Sequence, residues 1–395
     1  MTESLASTAA HRFAVVSTMG LSFVELRVDQ GRVPSFEAAR TRRQQTRAAG
    51  LHPDHWYAVE YEAALGTGQA IGVAFWGRGI ALFRGADGVV RAIEDRCAHR
   101  QVKLSLGEVD GCDLTCPYHG WTYGGDGRLT TIPHELFGRT VSKIRVAAFP
   151  VRVRYGLIWI FPGDPALAEG VKLPEIPEIE GRDAWATVHL DFTWNAHHSM
   201  IIENVSDFTH AHLHRKYRPF TDAKLISHSA DDRAVHLTYD VLVGDGRFSK
   251  HFVDRKKVNV NSMDLCFDYP YQRSDTGGRI KHWLFILPVN ERKTRAFFVF
   301  YFDALKIPLT GVALPAALMR PLMRAARHLV IGPLLEQDGD MVEAEQDAYD
   351  SAPDAPYVEL NPVVLEFQKL IIARWREHLA RETPAAPVPA AHSVG

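Results

Sequence analysis

A chain of 395 residues is long enough for two or three domains and a sizeable core. With 46% hydrophobic and 23% charged residues and a formal net charge of −2, it has the composition of an ordinary soluble globular protein, and nothing suggests a basic field for nucleic acid. Four cysteines are too few for a disulfide framework and fit a reducing cytoplasm.

Residues 1–50 read as a mixed arm. Within it SFEAARTRRQQTRAA, residues 35–49, has the pattern of a helix with a solvated basic face. Residues 1–20 lack the basic start and apolar run of a signal peptide, and no apolar run reaches the length of a membrane span. From His55-Trp56-Tyr57 the pattern changes. Short runs rich in β-branched and aromatic residues at 69–76, 80–85 and 89–94 are split by Gly and Asp-Gly, and 143–161 adds two more strands. Asp87-Gly88 and Asp126-Gly127 read as hairpin turns. These elements predict an antiparallel β domain over 51–165.

That domain holds a Cys97-x-His99 pair and, after sixteen intervening residues, a Cys116-x-x-His119 pair. Two thiolates and two imidazoles are the wrong set for a four-cysteine ferredoxin. They suit a [2Fe–2S] cluster with two Cys on one iron and two His on the other. The same set can also hold zinc. Cys112 and Cys266 are left over, and a small buried thiol is the simpler reading of Cys112. The motif CPYHGW, residues 116–121, closely resembles the Rieske iron–sulfur proteins.

A connector with Pro165, Pro174 and Pro177 covers 164–183. Residues 191–217, DFTWNAHHSMIIENVSDFTHAHLHRKY, read mostly as helix. Strands are predicted at 233–243, 265–271, 279–287 and 294–302. Helices follow over 313–350 and from residue 360, and 384–395 reads as a disordered tail. His210 and His214 are four apart and share one helix face, whereas His212 points elsewhere. Two imidazoles with one carboxylate make the facial triad of non-heme Fe(II) oxygen enzymes. Asp338 is the best candidate for that carboxylate, and Asp340 is its rival. His197 and His198 read as helix-surface residues.

The pairing of CAHR…CPYHGW with NVSDFTHAHLH and EQD…VEAEQ resembles the catalytic subunits of Rieske non-heme iron oxygenases over nearly the whole chain. The resemblance implies an α+β fold: the N-terminal Rieske domain, then a helix-grip-like catalytic domain with an antiparallel sheet and helices at 166–383. It implies a [2Fe–2S] cluster on Cys97, His99, Cys116 and His119, and mononuclear Fe(II) on His210, His214 and Asp338. O2 is the cosubstrate, and NAD(P)H electrons arrive through a ferredoxin or flavin reductase. Asn204-x-x-Asp207-x-x-His210 would hold the mononuclear site. A head-to-tail homotrimer would let Asp207 bridge a cluster histidine of one subunit to His210 of the next, with Glu203 as the other candidate bridge. Many members place four residues between the iron histidines, whereas His210 and His214 are separated by three, so His212 stays open beside His214.

EDRCAHRQVKLSLG, ENVSDFTH, LHRKYRPF and KHWLFILPVNER are also similar to the hydroxylases of saxitoxin-type biosynthesis and their bacterial relatives. That likeness implies C–H hydroxylation of a small, polar, nitrogen-containing molecule by a cytoplasmic enzyme. N- or O-demethylation is the alternative. An electron-transfer or zinc-stabilised binding protein is the reading from another class.

Overall fold

A computed structural model describes residues 33–138, 143–180, 185–243, 260–303, 314 and 316–382. The first 32 residues of the arm and the predicted tail at 384–395 lie outside the described residues.

The N-terminal half is built from three small antiparallel sheets. One orders 57–61, 157–160 and 151–154; a second orders 70–75, 78–84, 90–94 and 148–149. The third, of 108–110, 113–115, 122–123 and 129–131, carries the second cysteine–histidine loop. Asp87-Gly88 and Asp126-Gly127 both sit in the expected turns, with both glycines at φ +77°. A small core of its own, including Phe83, Ile93, Leu104, Leu114 and Tyr123, packs around Cys97 and Cys116.

The C-terminal half is a seven-stranded antiparallel sheet in the order 186–194, 293–302, 280–290, 271–276, 260–268, 234–243, 220–230. Helices His198–Ser206, Gly332–Ser351 and Pro362–Glu382 pack together and against this sheet. Strands 280–290 and 293–302 are buried on both faces over their middles: the neighbours Leu284 and Phe285, and Phe297 and Phe298, point to opposite sides, and all four are 2% exposed or less.

Several expectations change. Residues 191–217 are not one helix. A strand runs to Trp194, a helix covers His198–Ser206, the chain breaks at extended Asp207, and a 3₁₀ turn covers Phe208–His212. Alternation in ATVHLDFTW is a strand signal that the dense polar residues after it obscured. The strand Phe220–Ala230 was also missed, because its exposed residues mix polar Asp222, Lys224 and His228 with apolar Ile226, which blurs the alternation. The N-terminal helix covers only Arg42–Ala48; Thr41 accepts from Gln44 N–H and caps it. Its basic face is not solvated throughout. Arg47 is 3% exposed and lies against Glu203.

The two halves are joined by a hairpin tip. Trp76 and Gly77 both adopt positive φ between strands 70–75 and 78–84. Their N–H groups donate to Pro288 O and Val289 O of the large sheet, both at 2.7 Å. The Trp76 ring packs edge-on to His197, His198 and Trp375. His197 and His198 are therefore fully buried, not on a helix surface.

Candidate metal centres

The first centre lies at the tip of the cluster domain. Cys97 and Cys116 are buried, and the rings of His99 and His119 approach to 4.5 Å between centroids. The loops are tight. A side chain at Gly107 would meet Thr115 O at 2.0 Å, and Gly120, directly after His119, has φ +70°. Tyr123 O–H lies 3.3 Å from Cys97 Sγ and accepts from Ala98 N–H at 3.0 Å. Trp121 stacks flat on His99, at 4.8 Å and 9°, and its Nε1–H donates to His134 Nε2 at 3.0 Å.

The donor set fits a two-iron cluster. His99 Nδ1 is buried and has no hydrogen-bond partner among the described residues. Among the described residues, the only group of three or more His, Cys, Asp or Glu donors mutually within 4.8 Å is His210, His214 and Asp338. Two thiolates and two imidazoles make the donor set of a Rieske cluster, with a cysteine end and a histidine end. Burial pushes the Cys116 thiol up, so a metal must offset that cost for the thiolate to form.

The second centre is the group of three. His210 Nε2 and His214 Nε2 lie 3.6 and 3.3 Å from Asp338 Oδ1. The interrupted helix still brings the two rings together, with centroids 5.2 Å apart, because 3₁₀ and turn hydrogen bonds continue the coil from His210 to Arg218. Asp338 comes from the helix Gly332–Ser351 and is 6% exposed. Its rival Asp340 is exposed, and so is His212, whose ring lies against Arg215. His214 and Asp338 lie in the donor group with His210, whereas His212 and Asp340 lie outside it.

Each member of this group also has a hydrogen-bond partner outside it. His210 Nδ1 bonds the backbone carbonyl of Asp207. His214 Nδ1 lies 3.1 Å from Gln337 Oε1. Asn204 Nδ2 donates to Asp338 Oδ1 at 3.4 Å. Both histidines thus turn Nε2 toward the carboxylate and anchor Nδ1 on an oxygen, the arrangement of metal-binding imidazoles. Burial lowers the pKa of His210. At His214 burial acts the same way, but the hydrogen bond and charge of Asp338 outweigh it and the pKa is raised.

Asp207 meets His210 through its main chain. Its carboxylate accepts from Thr209 N–H at 3.0 Å, and its second oxygen has no hydrogen bond among the described residues. Arg47 and Gln368 occupy both oxygens of Glu203 in the interior. Gln337, Tyr123 and Arg47 were not singled out from sequence; only the adjacency of Gln337 to Asp338 offered a signal.

Residues 55–142 match the model of the Rieske [2Fe-2S] domain, and residues 194–382 match that of the vanillate O-demethylase oxygenase C-terminal domain. The 4beta-methylsterol monooxygenase of Methylococcus capsulatus is 44% identical over 352 residues, 89% of this chain and 95% of that protein. The oxygenase component of dicamba O-demethylase from Stenotrophomonas maltophilia is 35% identical over 195 residues, 48% of this chain and 52% of that one. A crystal structure of dicamba monooxygenase bound to dicamba superposes with a TM-score of 0.67 at 22% identity, over 84% of this chain and all of that one. No helix among the described residues is long and apolar enough to cross a membrane. The chain belongs to the Rieske non-heme iron oxygenases: it is a monooxygenase-type catalytic subunit, with a [2Fe–2S] cluster in its N-terminal domain and a mononuclear iron in its C-terminal one.

Proposed function

We propose that this enzyme hydroxylates a methyl C–H bond on an apolar, polycyclic small molecule of the sterol type. The observation that carries the reading is the 44% identity across 95% of a 4beta-methylsterol monooxygenase. The surroundings of the second centre support it. Phe220 packs edge-on to His210 and His214, and Phe208 packs on Phe220 and Tyr239, so aromatic rings flank the metal donors. A polar nitrogen-containing substrate rests on four short segments and is the weaker reading. N- or O-demethylation is the same hydroxylation placed beside a heteroatom; the dicamba O-demethylase relative favours it as a second activity.

In this reading Cys97 and Cys116 hold one cluster iron, His99 and His119 hold the other, and His210, His214 and Asp338 hold Fe(II) on one face. The metals supply single electrons and O2 chemistry, and the protein supplies binding and orientation. Asn204 holds the carboxylate, while Asp207 holds His210 through its carbonyl. The free oxygen of Asp207 can accept from a cluster histidine of a neighbouring subunit in a head-to-tail trimer. Electrons come from NAD(P)H through a ferredoxin or flavin reductase. Residues 51–165 serve as the cluster domain and 166–383 as the catalytic domain of a cytoplasmic enzyme, with 1–50 as an arm.

The test is a reconstitution with a surrogate reductase, NAD(P)H and isotopically labelled O2. The panel is a 4-methyl sterol, a methoxyarene and a guanidinium-bearing heterocycle. Label in a hydroxymethyl sterol is expected. Turnover of the heterocycle alone would replace the sterol reading with the polar one, and turnover of the methoxyarene alone would make the chain a demethylase.

A further inference from the structure

We infer that Gln337 is a positioning residue for the mononuclear iron: it fixes His214 as the tautomer that meets the metal through Nε2. The inference rests on the assignment of His210, His214 and Asp338 as ligands.

A neutral imidazole carries one proton, and only the bare nitrogen can bind a metal. His214 is 1% exposed, so water does not set its tautomer. Gln337 Oε1, 3.1 Å from Nδ1, does so instead. An amide oxygen accepts and never donates; it keeps the proton on Nδ1 and leaves Nε2 bare toward Asp338, 3.3 Å away.

The placement is local. Gln337 and Asp338 are consecutive on the helix Gly332–Ser351, so one helical turn supplies both a ligand and the group that orients another ligand. The helix is tightly seated there. A side chain at Gly339 would meet Trp194 Nε1 at 2.3 Å, so the helix cannot shift toward that ring. His210 differs, because its Nδ1 is held by a main-chain carbonyl that no side-chain substitution removes. Gln337 is thus the replaceable half of the tautomer control. A carboxylate in its place keeps the acceptor, and a leucine removes it with little change in volume.

The experiment uses the full chain with its cluster intact, stripped of mononuclear metal and titrated with Co(II). Binding is read from the Co(II) ligand-field bands. Gln337→Leu is expected to weaken Co(II) about 10- to 100-fold, the usual cost of losing such an outer partner. Gln337→Glu is expected to bind within a few-fold of the parent or tighter. In the Co(II) form, the shifted exchangeable Nδ1–H resonance of His214 should persist in Gln337→Glu and vanish in Gln337→Leu. Parent-like affinity in Gln337→Leu overturns the inference. If Gln337→Leu does not fold, Gln337→Glu decides alone: a 10-fold loss there also overturns it. Asp338→Ala separates the two claims. If it binds Co(II) like the parent, the ligand assignment itself fails; if it loses Co(II) while Gln337→Leu does not, only the role of Gln337 fails.

Discussion

Arg47 and Glu203 form a two-pronged ion pair in the interior, with Nη1–Oε1 at 2.8 Å and Nη2–Oε2 at 2.6 Å. The pair ties the short N-terminal helix to the helix that leads into Asn204 and Asp207, and Gln368 adds the C-terminal helix. Truncating one partner leaves the other charge buried without compensation. Arg47→Ala should therefore cost about 3–5 kcal/mol. Chemical denaturation checks this, and a change under about 1 kcal/mol would mean that the site relaxes to admit water.

The buried histidines make stability depend on pH. Burial, aided by the nearby charge of Arg47, lowers the His198 pKa to about 3, though the hydrogen bond to Ala49 O opposes it; His197 is also lowered, and burial brings His282 to about 4. The unfolded chain protonates these rings near pH 6.5, whereas the native chain does not. The unfolded state then binds more protons, so stability rises with pH and is lost as pH falls from about 6.5 toward 4. His198→Gln keeps a donor for Ala49 O and removes one titrating group. Its denaturation midpoint should fall less steeply over that window than the parent's.

At the cluster, Tyr123 Oη lies 3.3 Å from the sulfur of Cys97; a cluster-bound thiolate carries no proton, so the hydroxyl is the donor. A hydrogen bond to a cluster ligand favours the more negative, reduced state. Tyr123→Phe should lower the reduction potential in spectroelectrochemistry while keeping the visible spectrum. An unchanged potential would mean that this hydroxyl does not reach the ligand sulfur in solution.

Cys97→Ala or His119→Ala should abolish the Rieske spectrum and leave far-UV circular dichroism nearly unchanged. The cluster sits in its own small core, and the larger core holds the rest of the fold. Retention of the full spectrum in either variant would contradict the ligand assignment.

Much of this site was legible in the sequence because metal ligation demands residue types at fixed spacings. Cys97-x-His99, Cys116-x-x-His119 and the His210–His214 pair follow from that demand. Runs of β-branched and aromatic residues also placed strands such as 70–75, 78–84, 90–94, 234–243, 280–290 and 293–302. The less legible parts depend on long-range contact. Nothing local in RTRRQQTR says that Arg47 turns inward to a carboxylate 156 positions away. His197 and His198 are buried because a tryptophan from another sheet covers them. The helix break at Asp207 was hidden because a 3₁₀ turn keeps nearly the same side-chain spacing over one turn.

The central claim is that two metal centres coexist and that Asp338 belongs only to the second. Iron and acid-labile sulfide, measured on Asp338→Ala beside Asp340→Ala, test it most directly. Asp338→Ala should lose about one iron per chain and all product formation while sulfide and the Rieske spectrum stay at parent levels. Asp340→Ala should match the parent in iron, sulfide and product. Full iron and activity in Asp338→Ala, or loss of both in Asp340→Ala alone, would contradict the account.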